Sequence, residues 1–102
     1  MRLRRASRAD QYRSETYRDL QSRLAANVRR LRAEEGWTQE EAAHQSGMAT
    51  PVYQRIEAGS TNVTFTTLGR ICEAYSVDPA TLLASAPLVQ KRPRGRPKAA
   101  TK

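Results

Sequence analysis

The chain has 102 residues, with 18 Lys and Arg against 10 Asp and Glu, and a formal net charge of +8 at neutral pH. That length holds one small domain with tails and leaves no room for a second core. A single cysteine, Cys72, excludes an internal disulfide framework and fits a reducing compartment, and no run approaches the roughly 20 apolar residues of a membrane-spanning helix.

Residues 1–18 form a basic N-terminal arm, with Arg2, Arg4, Arg5, Arg8, Arg13 and Arg18 set against Asp10 and Glu15. Arginines rather than an apolar run follow Met1, so no signal peptide is expected. The arm is expected to be a disordered solubilising segment, to reach phosphates around the duplex, or to lie along one face of an extended first helix. Tyr12 and Thr16 favour the extension, because they continue the four-residue step of the helix that follows. That helix is marked by Leu20, Leu24, Val28 and Leu31, one apolar face, and should stop near Gly36. In WTQEEAAHQSG, Thr38 and Glu41 have the spacing of a capping box, so a second helix should run to about Ser46 and turn at Gly47.

MATPVYQRIEAG predicts a third helix, with Pro51 in its first turn, Tyr53 and Ile56 facing inward, and Gly59 at its end. Thr64 can cap a fourth helix, on which Phe65, Leu68, Ile71, Cys72 and Tyr75 recur at helical spacing. Asp78-Pro79 reads as a cap and first turn of a short fifth helix carrying Leu82 and Leu83 inward. The expected fold class is therefore all-α, five helices over residues 19–85, with basic tails at both ends. Residues 19–89 carry six arginines against eight acids, a charge of −2, while residues 90–102 carry six basic residues and no acid. A tail over 86–102 this basic and apolar-poor is expected to be disordered until an anion orders it.

Helices two and three are separated only by a tight glycine turn, and here a resemblance becomes visible. VRRLRAEEGWTQEEAA, SGMATPVYQRIEAG and NVTFTTLGRICEAYSVDPATLL, in that order, resemble the phage-repressor or Cro (XRE-type) helix-turn-helix regulators, a lambda-repressor-like fold. The resemblance implies that Gln39 opens helix two against a DNA phosphate. It also implies that Thr50, Pro51, Gln54 and Arg55 lie on the groove-facing side of the recognition helix. Arg55 suits a bidentate contact to guanine and Gln54 suits adenine. Arg32 and Glu57 match a pair that forms a salt bridge between helices one and three.

This chain departs from the family at several places. Ala49 stands where a capping serine or threonine is usual, with Thr50 able to cap one residue later. Pro51 has no donor and offers only apolar contact. Trp37 and Ala42 exchange the sizes of two customary leucines, which reads as a volume swap across one contact.

The remaining chemistry-bearing residues have ordinary explanations. His44 has no second ligand at metal spacing, and Cys72 has no histidine partner to activate it; Tyr53 and Trp37 read as core. No metal, cofactor or small-molecule ligand is implied, and no paired carboxylates or phosphate loop suggest an enzyme. The tail segment PRGRP, residues 93–97, resembles the AT-hook of chromatin proteins. In that motif Gly95 permits close approach to a narrow minor groove, along which Arg94 and Arg96 extend.

The expected function is a sequence-specific DNA-binding transcriptional regulator of the cytoplasm, encoded by a bacterium or phage and associated with the nucleoid. Its partners are double-stranded DNA and a second copy of itself, since one recognition helix reads few base pairs. Leu82, Leu83, Leu88 and Val89 are the candidates for the dimer contact. Two other readings stand beside this one: the antitoxin of a toxin–antitoxin pair, and a nucleoid-type architectural protein.

Overall fold

A computed structural model of the chain describes residues 14–85. Within them run five helices and no strand: α1 (Glu15–Glu35), α2 (Gln39–Gln45), α3 (Thr50–Glu57), α4 (Phe65–Tyr75) and α5 (Pro79–Leu82). Most of the expected arm and the whole tail lie outside the described residues, including Leu88, Val89, Arg94, Gly95 and Arg96.

The long helix begins at Glu15, inside the span expected as an arm, because Ser14 caps it by accepting from the Tyr17 amide at 3.1 Å. Glu15 then sits in the first turn, where the helix dipole favours a negative charge. At the other end Gly36 takes φ 76°, and its N–H returns to the Arg32 and Ala33 carbonyls. A Cβ added there would meet nothing within 4 Å. Glycine is thus favoured at this stop by backbone conformation and not by crowding.

The capping box of α2 forms in both directions: the Glu41 amide donates to Thr38 Oγ1 at 3.0 Å, and the Thr38 amide donates to Glu41 Oε1 at 2.8 Å. Thr64 caps α4 in one direction only, its Oγ1 accepting from the Thr67 amide at 3.1 Å. Two expected caps differ. The N-cap of α3 is Ala49, which has no side chain to bond with, and Thr50 is already helical. Asp78 is the N-cap residue of α5, but its side chain makes no cap hydrogen bond. In both, proline in the first turn pre-sets the backbone instead.

The core is one cluster fed by every helix: Leu24, Val28 and Leu31 from α1, Ala42 and Ala43 from α2, Tyr53 and Ile56 from α3, Ile71 and Tyr75 from α4, and Leu82 from α5. Helix α1 packs against α3 and α5, and α2 packs against α3. Tyr53 and Tyr75 are both fully buried, so each phenol needs a partner, and each provides the other's, O to O at 2.7 Å. Trp37 stacks in a tilted arrangement on Tyr75, with ring centroids 5.3 Å apart.

Buried Asn27 ties the end of α5 to α1, its amide donating to the Leu82 and Ala84 carbonyls at 2.8 and 3.0 Å. Burial raises the Cys72 thiol pKa, and the nearby Asp78 and Glu73 charges add to the shift. The protonated thiol then serves as a small half-buried apolar group.

Two expectations fail at the surface. Spacing places Phe65 on the inward face of α4, but it is 90% exposed, because the buried stripe of that helix runs through Ile71 and Tyr75. Leu82 is fully buried, as its inward place on α5 led one to expect, and so it is not available for the contact between two copies for which it was also a candidate. Among the described residues no helix is long and apolar enough to cross a membrane.

Candidate nucleic-acid interface

Four residues, Ser46 to Ala49, join α2 to α3. Gly47 makes the bend at φ 69°, and the Met48 amide returns to the Ala43 carbonyl at 3.0 Å, closing the end of α2. Arg70 of α4 holds the bend from outside by donating to the Gly47 carbonyl at 3.2 Å. Helix α3 then buries Tyr53, Ile56 and Glu57 and turns Pro51, Gln54 and Arg55 outward, with Thr50 half-buried at its start.

The angle between α1, α2 and α3 is fixed by a polar cluster around one carboxylate. Glu57 is nearly enclosed, its side chain 3% exposed, and Arg32 grips it at two points: Nε to Oε2 at 2.6 Å and Nη2 to Oε1 at 3.2 Å. Arg32 also donates to the Trp37 carbonyl at 3.0 Å, and Arg29 donates to the backbone carbonyl of Glu57. Burial alone pushes the Glu57 carboxyl pKa up. Hydrogen bonds from Arg32, Gln39 and Tyr53 and the Arg32 charge outweigh burial, so the group is held below its ordinary value and stays ionised. The carboxylate in turn raises the Arg32 pKa, chiefly through their hydrogen bond.

From Glu57 the cluster runs outward to the surface. The Gln39 amide nitrogen donates to Glu57 Oε1 at 2.9 Å, and the Gln54 amide nitrogen donates to Gln39 Oε1 at 3.1 Å. An ionised carboxylate only accepts, so the Gln39 amide must turn its NH₂ toward it and its oxygen toward Gln54. That in turn fixes the direction of Gln54. Gln54 is left with one N–H and its carbonyl oxygen on the exposed side of α3. Beside it the Arg55 guanidinium is exposed and has no ion-pair or hydrogen-bond partner among the described residues.

Thus Gln39, Thr50, Pro51, Gln54 and Arg55 gather at the ends and outer face of one helix pair, and Arg32 with Glu57 lies beneath them. His44 is exposed on α2, apart from this cluster. Sequence reasoning did not find Arg29, Arg70 or the Gln39 bridge. Arg29 had a signal, since it stands three residues before Arg32 and so shares its helix face. Arg70 and the Gln39 bridge join residues 15 to 23 positions apart, and nothing in the sequence pairs them.

A family model described as a helix-turn-helix domain matches residues 23–84. The fold is also similar to a crystal structure of a hypothetical transcription factor, NHTF, from Neisseria. The two are 31% identical over 63% of this chain and 74% of that one, with a TM-score of 0.60. No curated protein matches the sequence.

Proposed function

The chain belongs to the helix-turn-helix domain family, and on that premise we propose that it is a DNA-binding transcriptional regulator whose α3 enters the major groove. The observation that carries this reading is the outer face of α3, where a free guanidinium stands beside an amide of fixed direction. Arg55 offers the paired donors that match guanine O6 and N7. Gln54, with one N–H and one carbonyl remaining, offers the donor and acceptor that match adenine N7 and N6. Gln39 stands at the start of α2, where the positive end of the helix suits a phosphate. Its side chain is committed to Glu57 and Gln54, so the phosphate falls to its remaining N–H and the backbone amides.

The described core is slightly acidic, and a major-groove reader of that charge needs cations from elsewhere. The tail supplies six, and Arg94 and Arg96 around Gly95 are assigned to an AT-rich minor groove next to the site. The regulator works as a homodimer in this reading, with two α3 helices on successive major grooves about one helical turn apart.

Amide chemical shifts of the full chain, recorded as duplex DNA is added, test this assignment. The largest changes are expected at Gln39, Thr50, Gln54 and Arg55. Shifts confined to α1 or α5 with α3 untouched contradict it.

A further inference from the structure

The outer face of α3 has two unlike ends. At its start Ala49 and Pro51 are exposed, with Thr50 half-buried between them. Proline pre-sets the first turn of a helix whose N-cap makes no side-chain hydrogen bond. That accounts for the backbone and leaves the exposed ring without a role. One turn further on stand Gln54, bonded to Gln39, and Arg55, whose guanidinium has no partner among the described residues.

Pro51 and Arg55 are four positions apart on α3, so they neighbour each other on one stripe, with Cβ atoms roughly 5–6 Å apart. A long helical side chain leans toward the N-terminus, so the stem of Arg55 lies over the turn that holds Pro51. An apolar ring and a forked donor therefore sit side by side. Their separation suits neighbouring base pairs, which rise by about 3.4 Å.

We propose that Pro51 reads the 5-methyl group of a pyrimidine in the base pair next to the guanine held by Arg55. The contact presupposes the α3 reading given above and adds the group that its apolar end recognises. In the major groove thymine differs from cytosine in two ways: a methyl at C5, and an O4 acceptor in place of an N4 donor. Proline has no N–H, and its ring carries neither donor nor acceptor. Pro51 is thus blind to the difference between O4 and N4 and responds to the methyl alone. Ala49 beside it adds apolar surface and no polar side-chain group. A C·G pair methylated at C5 therefore satisfies this end of the helix as a T·A pair does, and an unmethylated C·G pair does not. Binding becomes sensitive to cytosine methylation through one side chain. A phosphate fits this position less well, since Pro51 has no amide to donate to it.

Titrations with four versions of the duplex that the wild type selects from a random pool test the contact. The guanine read by Arg55 is first located by the base preference that Arg55→Ala loses. In the next base pair thymine is then replaced by uracil, cytosine or 5-methylcytosine, each opposite its complement. Thymine is expected to bind roughly 3–10-fold tighter than uracil, and 5-methylcytosine than cytosine by a similar factor, the effect of one buried methyl. In Pro51→Ser binding to the thymine duplex should weaken and both ratios should fall to about one. Unchanged helical circular dichroism checks that this variant folds; if it does not, the wild-type ratios alone decide the methyl contact. Equal binding within both pairs, with the guanine preference intact, overturns the methyl contact and leaves the base-reading helix standing. A selected duplex with no thymine next to that guanine overturns it as well. Ratios that persist in Pro51→Ser assign the methyl to another residue and overturn the role of Pro51. If Arg55→Ala loses no base preference, the base-reading helix and this contact fall together.

Discussion

Replacing Glu57 by alanine is expected to destabilise the domain by about 3–5 kcal/mol, the cost of leaving one member of an enclosed ion pair without the other. Small domains have only about 5–15 kcal/mol in total, so the variant should lose much of its folded population on mild warming. The loss has three parts here: the two-point grip of Arg32, the Gln39 bond, and the carboxylate that turns Gln39 and Gln54 in one direction. Urea unfolding of the two proteins measures it.

The pH dependence follows with a definite sign. The folded-state pKa of Glu57 lies below its ordinary value of 4.5, so its contribution is fully present above that value and fades as pH falls through the folded pKa. The stability gap between wild type and Glu57→Gln should therefore narrow between neutral and strongly acid pH. A gap that stays constant contradicts the role of the charge.

The second large effect is expected from truncation after Val89, which removes all six basic residues of the tail. Every phosphate that is no longer neutralised shallows the slope of log K against log salt by about 0.9, so removing all six cations changes it by roughly 5. At low salt this weakens affinity by orders of magnitude. It should fall on cognate and random duplexes alike, most strongly on those with AT-rich flanks, where a narrow minor groove draws Arg94 and Arg96. Titrations of both proteins at several salt concentrations read it directly. An unchanged slope means that the tail does not touch DNA and that the −2 core binds by α3 alone.

The helices were legible because their signals are local. Thr38 with Glu41, Thr64 before its helix, and Gly36 and Gly47 at their turns each act within a few residues, and each takes its expected place. Periodicity misleads where a helix has a wider apolar stripe than it can bury. Phe65 keeps the spacing of Leu68 and Ile71, yet the core needs only the stripe through Ile71 and Tyr75. Leu82 was legible as an inward residue of α5, and its burial, with Asn27 donating to its carbonyl, removes it from any contact between two copies.

In the site, residue types point to α3, but the direction of Gln54 is not readable from them. It depends on an ionised carboxylate three positions away on the same helix, relayed through a glutamine on another. The Tyr53–Tyr75 hydroxyl pair is equally hidden, since spacing marks both rings as inward without saying that they meet.

If the exposed face of α3 reads bases, Arg55→Ala should remove part of that reading and leave the rest of the protein's DNA contact in place. The measurement is a titration of wild type and variant against the duplex selected by the wild type from a random pool, and against random duplex. Arg55 is exposed and its side chain makes no bond on which the fold depends, so the variant should fold normally. A loss of about 1–3 kcal/mol is expected on the selected duplex, confined to one base position, with nearly unchanged binding to random DNA. Equal losses on both duplexes would contradict it and make Arg55 a phosphate ligand of a protein that binds without reading sequence.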